Sequence, residues 1–386
     1  MTHLSSPSCL SVVRNNSGGP ESHRTPYYNG FLARPVTTEV LSTRCVPGLD
    51  TLAVSSGCRI NDVVSYLEGN VAAFIFAEDA AMPAAALPRT EPWPEFSYAA
   101  FASTQHLLHM GLQAIGKLKL HEPFLPQWAG VPFWLTARGL TTGPLSHAGG
   151  VFEVNVDLLT HQVNVVTSAG RSEGFPLTSM SVARFVELLL DLLRRTGVDV
   201  PISLAPQEVA DTTPFDRDTL TRTYDPALAR AWWRILLSTR HVMQVFEGRF
   251  QGKTHPAALM WGTLDIRMAL YNGKPASPGA NVDYIRRNAM NAELVEFGWW
   301  SGSPQYPKAA FYAFTFPEPP GIADAAINPR HARWDKSMGE FILDYDDLRA
   351  SSDPDGDLLA FFESAYLAGA TRAGWDPSLL GSGAPT

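Results

Sequence analysis

The sequence predicts an α+β fold, a mixed or antiparallel sheet with helices packed on it, and three observations carry that expectation. Capped amphipathic stretches of three to six turns are interspersed with short runs of period two. Two of the strand-like runs follow one another across a tight turn, as antiparallel neighbours do. A hydrophobic content of 45% against 18% charged residues, in a chain of 386, leaves ample material for a core.

Taken in order, Trp93-Pro94 leads into a helix over residues 98–118. After the proline-rich stretch 123–126 comes a strand at 133–141. Residues 152–157 and 162–166 alternate apolar and polar side chains around a turn at 159–161, a hairpin with one buried face. Ser181 caps a leucine-rich helix that runs to Arg195 and is stopped by Gly197. Residues 205–224 are polar and read as a link between two halves. Asp225-Pro226 then opens a helix to about residue 250, with Asp as cap and Pro in the first turn. A strand over 259–271 ends in the hairpin turn Asn272-Gly273. A helix at 282–297, strands at 310–316 and 340–344 and a helix at 358–372 complete the body. Helix-to-strand order recurs, so residues 92–204 and 225–376 are candidates for two similar halves.

Residues 1–81 differ from this body. They contain no Lys and scatter Ser, Gly, Thr and Pro without periodicity. They are expected to be a disordered leader or to precede a true start at Met82; an organelle transit peptide is the alternative. All three cysteines, Cys9, Cys45 and Cys58, lie in that segment, so the body has no thiol nucleophile, internal disulfide or thiolate metal site. A net charge of −8 argues against nonspecific binding to nucleic acid or acidic membranes. With no apolar run of about 18 residues and no secretory signal, a soluble, cytoplasmic protein is expected.

Two stretches attract functional attention. His106, His109, Gln113 and Lys117 are spaced three, four and four apart, which puts them within a sector of about 80° on a helix whose remaining surface is largely apolar. Such a stripe is expected to face a cavity or a thin solvent edge. The following strand adds one conspicuous charge, Arg138. In Trp261-Gly262-Thr263-Leu264-Asp265, the carboxylate sits inside an apolar run, where leaving it unpaired is costly. Asp265 is therefore expected to find a cation: Arg138, Lys117 or Lys253. Histidines 106 and 109 with Gln113, joined by Glu293 and Glu296 from a second helix, would make a bundle-type metal site. Three literal motifs fail on context. Gly248–Thr254 is one residue short of a phosphate loop and follows a helix. Gly170-Arg-Ser172-Glu-Gly174 is not followed by a helix. The acids at 353–357 have the glycine of a calcium loop in the wrong place, and read as a capped turn.

At these residues the chain resembles the bacterial family DUF5996. The matching signatures are His109-Met110 with Gln113 and Gly116-Lys117, then Thr136-Ala-Arg-Gly-Leu-Thr-Thr142. Trp261-Gly262 with Asp265 and Gly273, Phe311-Tyr312-Ala313 before Pro317-Glu318-Pro319, and Gly339-Glu340-Phe341 follow in order, spanning residues 93–375. The resemblance implies no particular activity. It implies histidines at three positions that are Gly130, Ala258 and Ala292 here, which places a family metal site in doubt for this chain.

The leading expectation is a small-molecule enzyme or binding protein with its site between the halves. Arg138, Lys117, Lys253 and Gln113 would orient an anionic ligand in a pocket walled by Trp261, Trp299 and Trp300. His109 would transfer protons, with Asp265 or Glu293 positioning it. The competing expectation is a non-catalytic binding or scaffold member that has lost its metal or active site. Cofactor, metal and oligomeric state are left open.

Overall fold

The computed structural model describes residues 92–381; the expectations for residues 1–81, including the start at Met82, lie outside the described residues. The first helix, α1 (Tyr98–Gly116), is capped by Ser97, whose hydroxyl accepts from the Ala100 amide, and tightens into a 3₁₀ turn over Lys117–His121. Six short strands then form an antiparallel sheet: β1 (Trp134–Thr136), β2 (Gly139–Thr141), β3 (Leu145–His147), β4 (Gly150–Asp157), β5 (Gln162–Thr167) and β6 (Ser172–Pro176). Its order is β1-β2-β4-β5-β6, with β3 paired to β4. Helix α2 (Val182–Thr196) packs on this sheet. Ser181 caps it, and Gly197 ends it in the left-handed conformation that glycine adopts without a Cβ penalty.

After an irregular connection, α3 (Pro226–Glu247) begins at the Asp225 cap, whose carboxylate takes the amides of Ala227 and Leu228. The second sheet contains β7 (Lys253–Met260), β8 (Asp265–Pro275), β9 (Ala292–Trp300), β10 (Ala310–Phe316), β11 (Arg333–Asp335) and β12 (Glu340–Asp344). Its order, β11-β12-β10-β9-β8-β7, is antiparallel throughout. The short α4 (Tyr284–Ala289) lies between β8 and β9, and α5 (Tyr345–Arg349) and α6 (Pro354–Arg372) follow β12. Each sheet is thus preceded by one long helix and followed by another. Both belong to one α+β body with a continuous core in which Phe101 of α1 stacks on Trp232 of α3. An antiparallel bridge between Phe133 and Leu259 joins the approach to the first sheet to the edge of the second. No helix among the described residues is long and apolar enough to cross a membrane.

Strand alternation decides what the second sheet offers. Ile266, Met268 and Leu270 of β8, Val295, Phe297 and Trp299 of β9, Phe311 of β10 and Phe341 of β12 all enter the main core. The opposite face carries Asp265, Arg267, Glu296, Tyr312 and Glu340, because successive side chains point to opposite sides.

Four sequence expectations are corrected here. Residues 133–141 are not one strand: the chain folds back between β1 and β2, where the Thr136 hydroxyl accepts from the amides of Arg138 and Gly139. Residues 259–271 likewise break at 261–264, with Leu264 in the left-handed region at φ 59°. Asn272-Gly273 is not a hairpin turn but an irregularity inside β8, where the register with β9 shifts between Tyr271 and Pro275. The helix expected at 282–297 covers only Tyr284–Ala289, and β9 takes the rest. In that stretch the alternation Leu294, Glu296, Gly298, Trp300 against Val295, Phe297, Trp299 outweighs helical propensity.

Candidate functional site

The polar face of the second sheet is the floor of a cavity of about 420 Å³. Its deepest feature is a buried ion pair between neighbouring strands. The Arg267 Nη1 donates to Glu296 Oε2 at 2.7 Å, and Nη2 donates to the Gln127 carbonyl at 3.2 Å. Burial works against the guanidinium, but Glu296 and the surrounding oxygens hold its pKa above the ordinary value. Beside this pair, Asp265 accepts hydrogen bonds from the hydroxyls of Thr263 and Tyr312. Burial and the Asp265 charge keep the Tyr312 phenol well above its usual range, so it stays a neutral donor. The expected cation for Asp265 is absent from its direct contacts: two hydroxyl donors do that work.

The walls are apolar. Trp128, Met260, Trp261, Ile285, Met290, Trp300, Phe314 and Met338 all contribute. Two carboxyls complete the lining. Glu340 is pushed up to about 7 by burial and by the charges of Glu296, Asp265 and Asp335. Glu208, although its residue is exposed at the mouth, is also pushed up to about 7 by its apolar surroundings and by Asp265 and Asp283. The backbone here is unusual. Gln127, Trp128, Glu208 and Leu264 are four of the five non-glycine residues with positive φ among the described residues. Such conformations cost of order 1–3 kcal/mol each and persist only where packing enforces them.

The polar stripe of α1 supports these walls from behind. Gln113 is buried and makes paired bonds to Gln207, accepting from its amide at 2.8 Å and donating to its carbonyl at 2.7 Å. Lys117 Nζ donates to Gln207 Oε1 at 2.6 Å and stands 5.5 Å from the Trp261 ring centre. Burial lowers this lysine to about 8, against the opposing pull of Glu208. His109 Nε2 donates to the Gly262 carbonyl at 2.9 Å, and burial lowers its pKa to about 4, so the ring is neutral. Trp261 in turn donates its indole N–H to the Val131 carbonyl at 3.0 Å. The stripe faces a polypeptide loop rather than open space.

A family model, DUF5996, described as a family of unknown function, matches residues 93–382. The chain belongs to this family. No curated protein and no solved structure matches it. The DUF5996 match covers every residue that lines the cavity.

Of the site residues expected from sequence, Asp265, Trp261 and Trp300 line the DUF5996 cavity, whereas Trp299 points into the core on the other face of β9. His109, Gln113 and Lys117 position its walls. Lys253 does so at one remove, donating to Gln127 Oε1 at 3.2 Å while Gln127 offers its carbonyl to Arg267. Glu293 lies off the cavity, accepting from the side-chain Nδ2 of Asn272. Arg138 is remote from it, in the β1–β2 turn, exposed and paired with Asp157 at 2.6 Å. The proposed metal ligands do not converge. His106 pairs with Asp218, His109 with Gly262, Glu293 with Asn272 and Glu296 with Arg267, and no group of three or more such side chains among the described residues is placed to hold a metal. Sequence reasoning missed Arg267, Tyr312, Glu340 and Glu208 as site residues. Alternation along β8, β10 and β12 could have exposed the first three as polar residues opposite an apolar strand face; no local signal marks Glu208.

Proposed function

We propose that this DUF5996 member binds a small molecule on the polar face of its second sheet, with carboxyl groups placed for proton transfer to or from it. One observation carries the reading: an apolar, tryptophan-walled cavity of about 420 Å³ ends on a buried, hydrogen-bonded polar floor. Ligand sites combine a mostly apolar wall of this size with a few convergent polar groups. Glu208 and Glu340, both pushed up to about 7, can exchange a proton near neutral pH, where general acid–base groups are most effective. The anion-binding role expected from Arg138 and Lys253 finds no support in their positions, since neither reaches the lining.

The test is a thermal-shift screen of a fragment library on the full chain and on Ala289→Trp. Ala289 lines the cavity from α4. Fragments that stabilise the natural protein and fail to stabilise the filled variant support the reading; a screen in which no fragment distinguishes the two overturns it. A second reading, docking of a protein partner, is favoured by Phe124, Leu125 and Tyr284, which are exposed around Trp128 at the rim. Phe124→Ser with Leu125→Ser would abolish a partner complex while leaving fragment binding intact.

A further inference from the structure

We propose that the occupant of this cavity is an organic cation, an amine or quaternary ammonium on a compact apolar body; the proposal rests on the small-molecule reading and specifies its substrate class. Among the described residues, Arg267 is the one guanidinium in the lining. Arg267 has both terminal nitrogens committed, one to Glu296 and one to the Gln127 carbonyl. It is also among the best-buried charged residues described, with 6% of its surface exposed. An anionic ligand would have to break a buried pair to reach it, and breaking such a pair leaves an uncompensated charge.

The remaining charges are all negative. Asp265 is held by two hydroxyls that carry no charge of their own. Glu208 stands at the mouth and Glu340 on the floor, and among the described residues only burial and nearby charges act on either carboxyl. A groove continuous with the cavity shares both glutamates and adds Asp283 and Glu318 against the single Arg286. Lys117, behind the wall at Trp261, already donates to Gln207. Low-dielectric walls focus this negative field on whatever enters.

Aromatic faces supply the second half of the recognition. Trp128, Trp261 and Trp300 bring indoles to the cavity, and Tyr312 adds a phenol ring from its floor. Ring faces attract ammonium groups electrostatically, and tryptophan does so best. A cation among Glu208, Asp265 and Glu340 would also offset the mutual repulsion of these acids.

The experiment uses three probes of matched size on the full chain: benzyltrimethylammonium, neopentylbenzene as its neutral isostere, and phenylacetate. Each is titrated by calorimetry or ligand-observed NMR at pH 8 and low salt, against the natural protein, Glu208→Gln/Glu340→Gln and Ala289→Trp. The cation is expected to bind at least tenfold more tightly than the neutral isostere, and phenylacetate to bind most weakly. The double glutamine variant should bring the cation down to the level of the isostere while leaving the isostere unchanged. Added salt should weaken the cation alone. If the isostere or phenylacetate binds as well as the cation and Ala289→Trp abolishes that binding, the cation inference falls and the small-molecule site stands. If no probe binds at millimolar concentration, the cation inference falls, and the fragment screen decides the site separately. Should the double variant fail to fold, the ranking of the three probes on the natural protein and its salt dependence decide alone.

Discussion

A methyl group at Gly298 would run into the Tyr312 ring that lies over it from the neighbouring strand. Glycine is required there by close approach, and through that approach the Tyr312 hydroxyl reaches Asp265. Gly298→Ala is expected to cost about 1–3 kcal/mol by overpacking and to weaken probe binding more than Arg138→Ala does. Chemical denaturation and the probe titrations check both. Two titrating groups at the site have opposite signs. His109 is lowered to about 4 from 6.5, so it is neutral in the folded chain where the unfolded chain is protonated. Its contribution is present above pH 6.5 and is lost as pH falls towards 4, by at most about 3 kcal/mol at 1.36 kcal/mol per pKa unit. Partial exposure of the ring brings the loss below that ceiling. His109→Gln is expected to flatten this acid limb in denaturation curves taken between pH 7 and 4. Glu340 is raised from 4.5 to about 7. Its ionised form destabilises the fold increasingly from pH 4.5 up to about 7, and Glu340→Gln is expected to raise Tm at pH 8 and leave it unchanged near pH 4.

At the level of elements, the Arg267–Glu296 pair ties β8 to β9 on the cavity side. Removing one partner strands a buried charge, so Glu296→Leu is expected to cost about 3–5 kcal/mol, while Arg267→Met/Glu296→Leu recovers most of it. Urea unfolding of both variants checks this; equal losses in single and double variants would mean packing volume, not charge, is what Glu296 supplies. The Arg138–Asp157 pair sits on an exposed turn of the other sheet. Arg138→Ala should change stability by no more than about 1 kcal/mol. The reading of 282–297 as a helix failed for an instructive reason. Glu293 and Glu296, three apart, share a helical face but lie on opposite faces of a strand, so only Glu296 reaches the floor. By contrast, α2 and α3 are legible from their caps, Ser181 and Asp225, which are local chemistry, and α1 from its apolar periodicity.

Across the whole body, the two helix–sheet–helix arrangements share one core. Residues of both enter a single cluster, from Phe101 and Phe152 to Phe297 and Phe361. One cooperative unfolding step is therefore expected for the described body, residues 92–381, with coincident midpoints by tryptophan fluorescence and far-ultraviolet dichroism. Separate midpoints would mean that the two sheets open independently. The cavity uses this shared organisation unevenly. Leu120, Trp128 and Val131 reach it from the segment before the first sheet and Glu208 from the connection, but no strand of the first sheet contributes. The expectation put the site between two halves; the cavity lies on the face of one sheet, covered by the loops before and after the other.

The sequence by itself determined the class of fold, the family, the positions of the long helices and the strands at 310–316 and 340–344. Those features rest on signals within one or two turns, or within a single run of alternating residues. It also singled out Asp265 and Trp261. Only tertiary structure decided what Asp265 touches, that Arg267 answers Glu296, and that Glu208 arrives at the mouth from a connection with no pattern of its own. The physical reason is separation along the chain. Tyr312 meets Asp265 across 47 residues and Arg267 meets Glu296 across 29, and strand register, set by burying the opposite apolar face, brings them together.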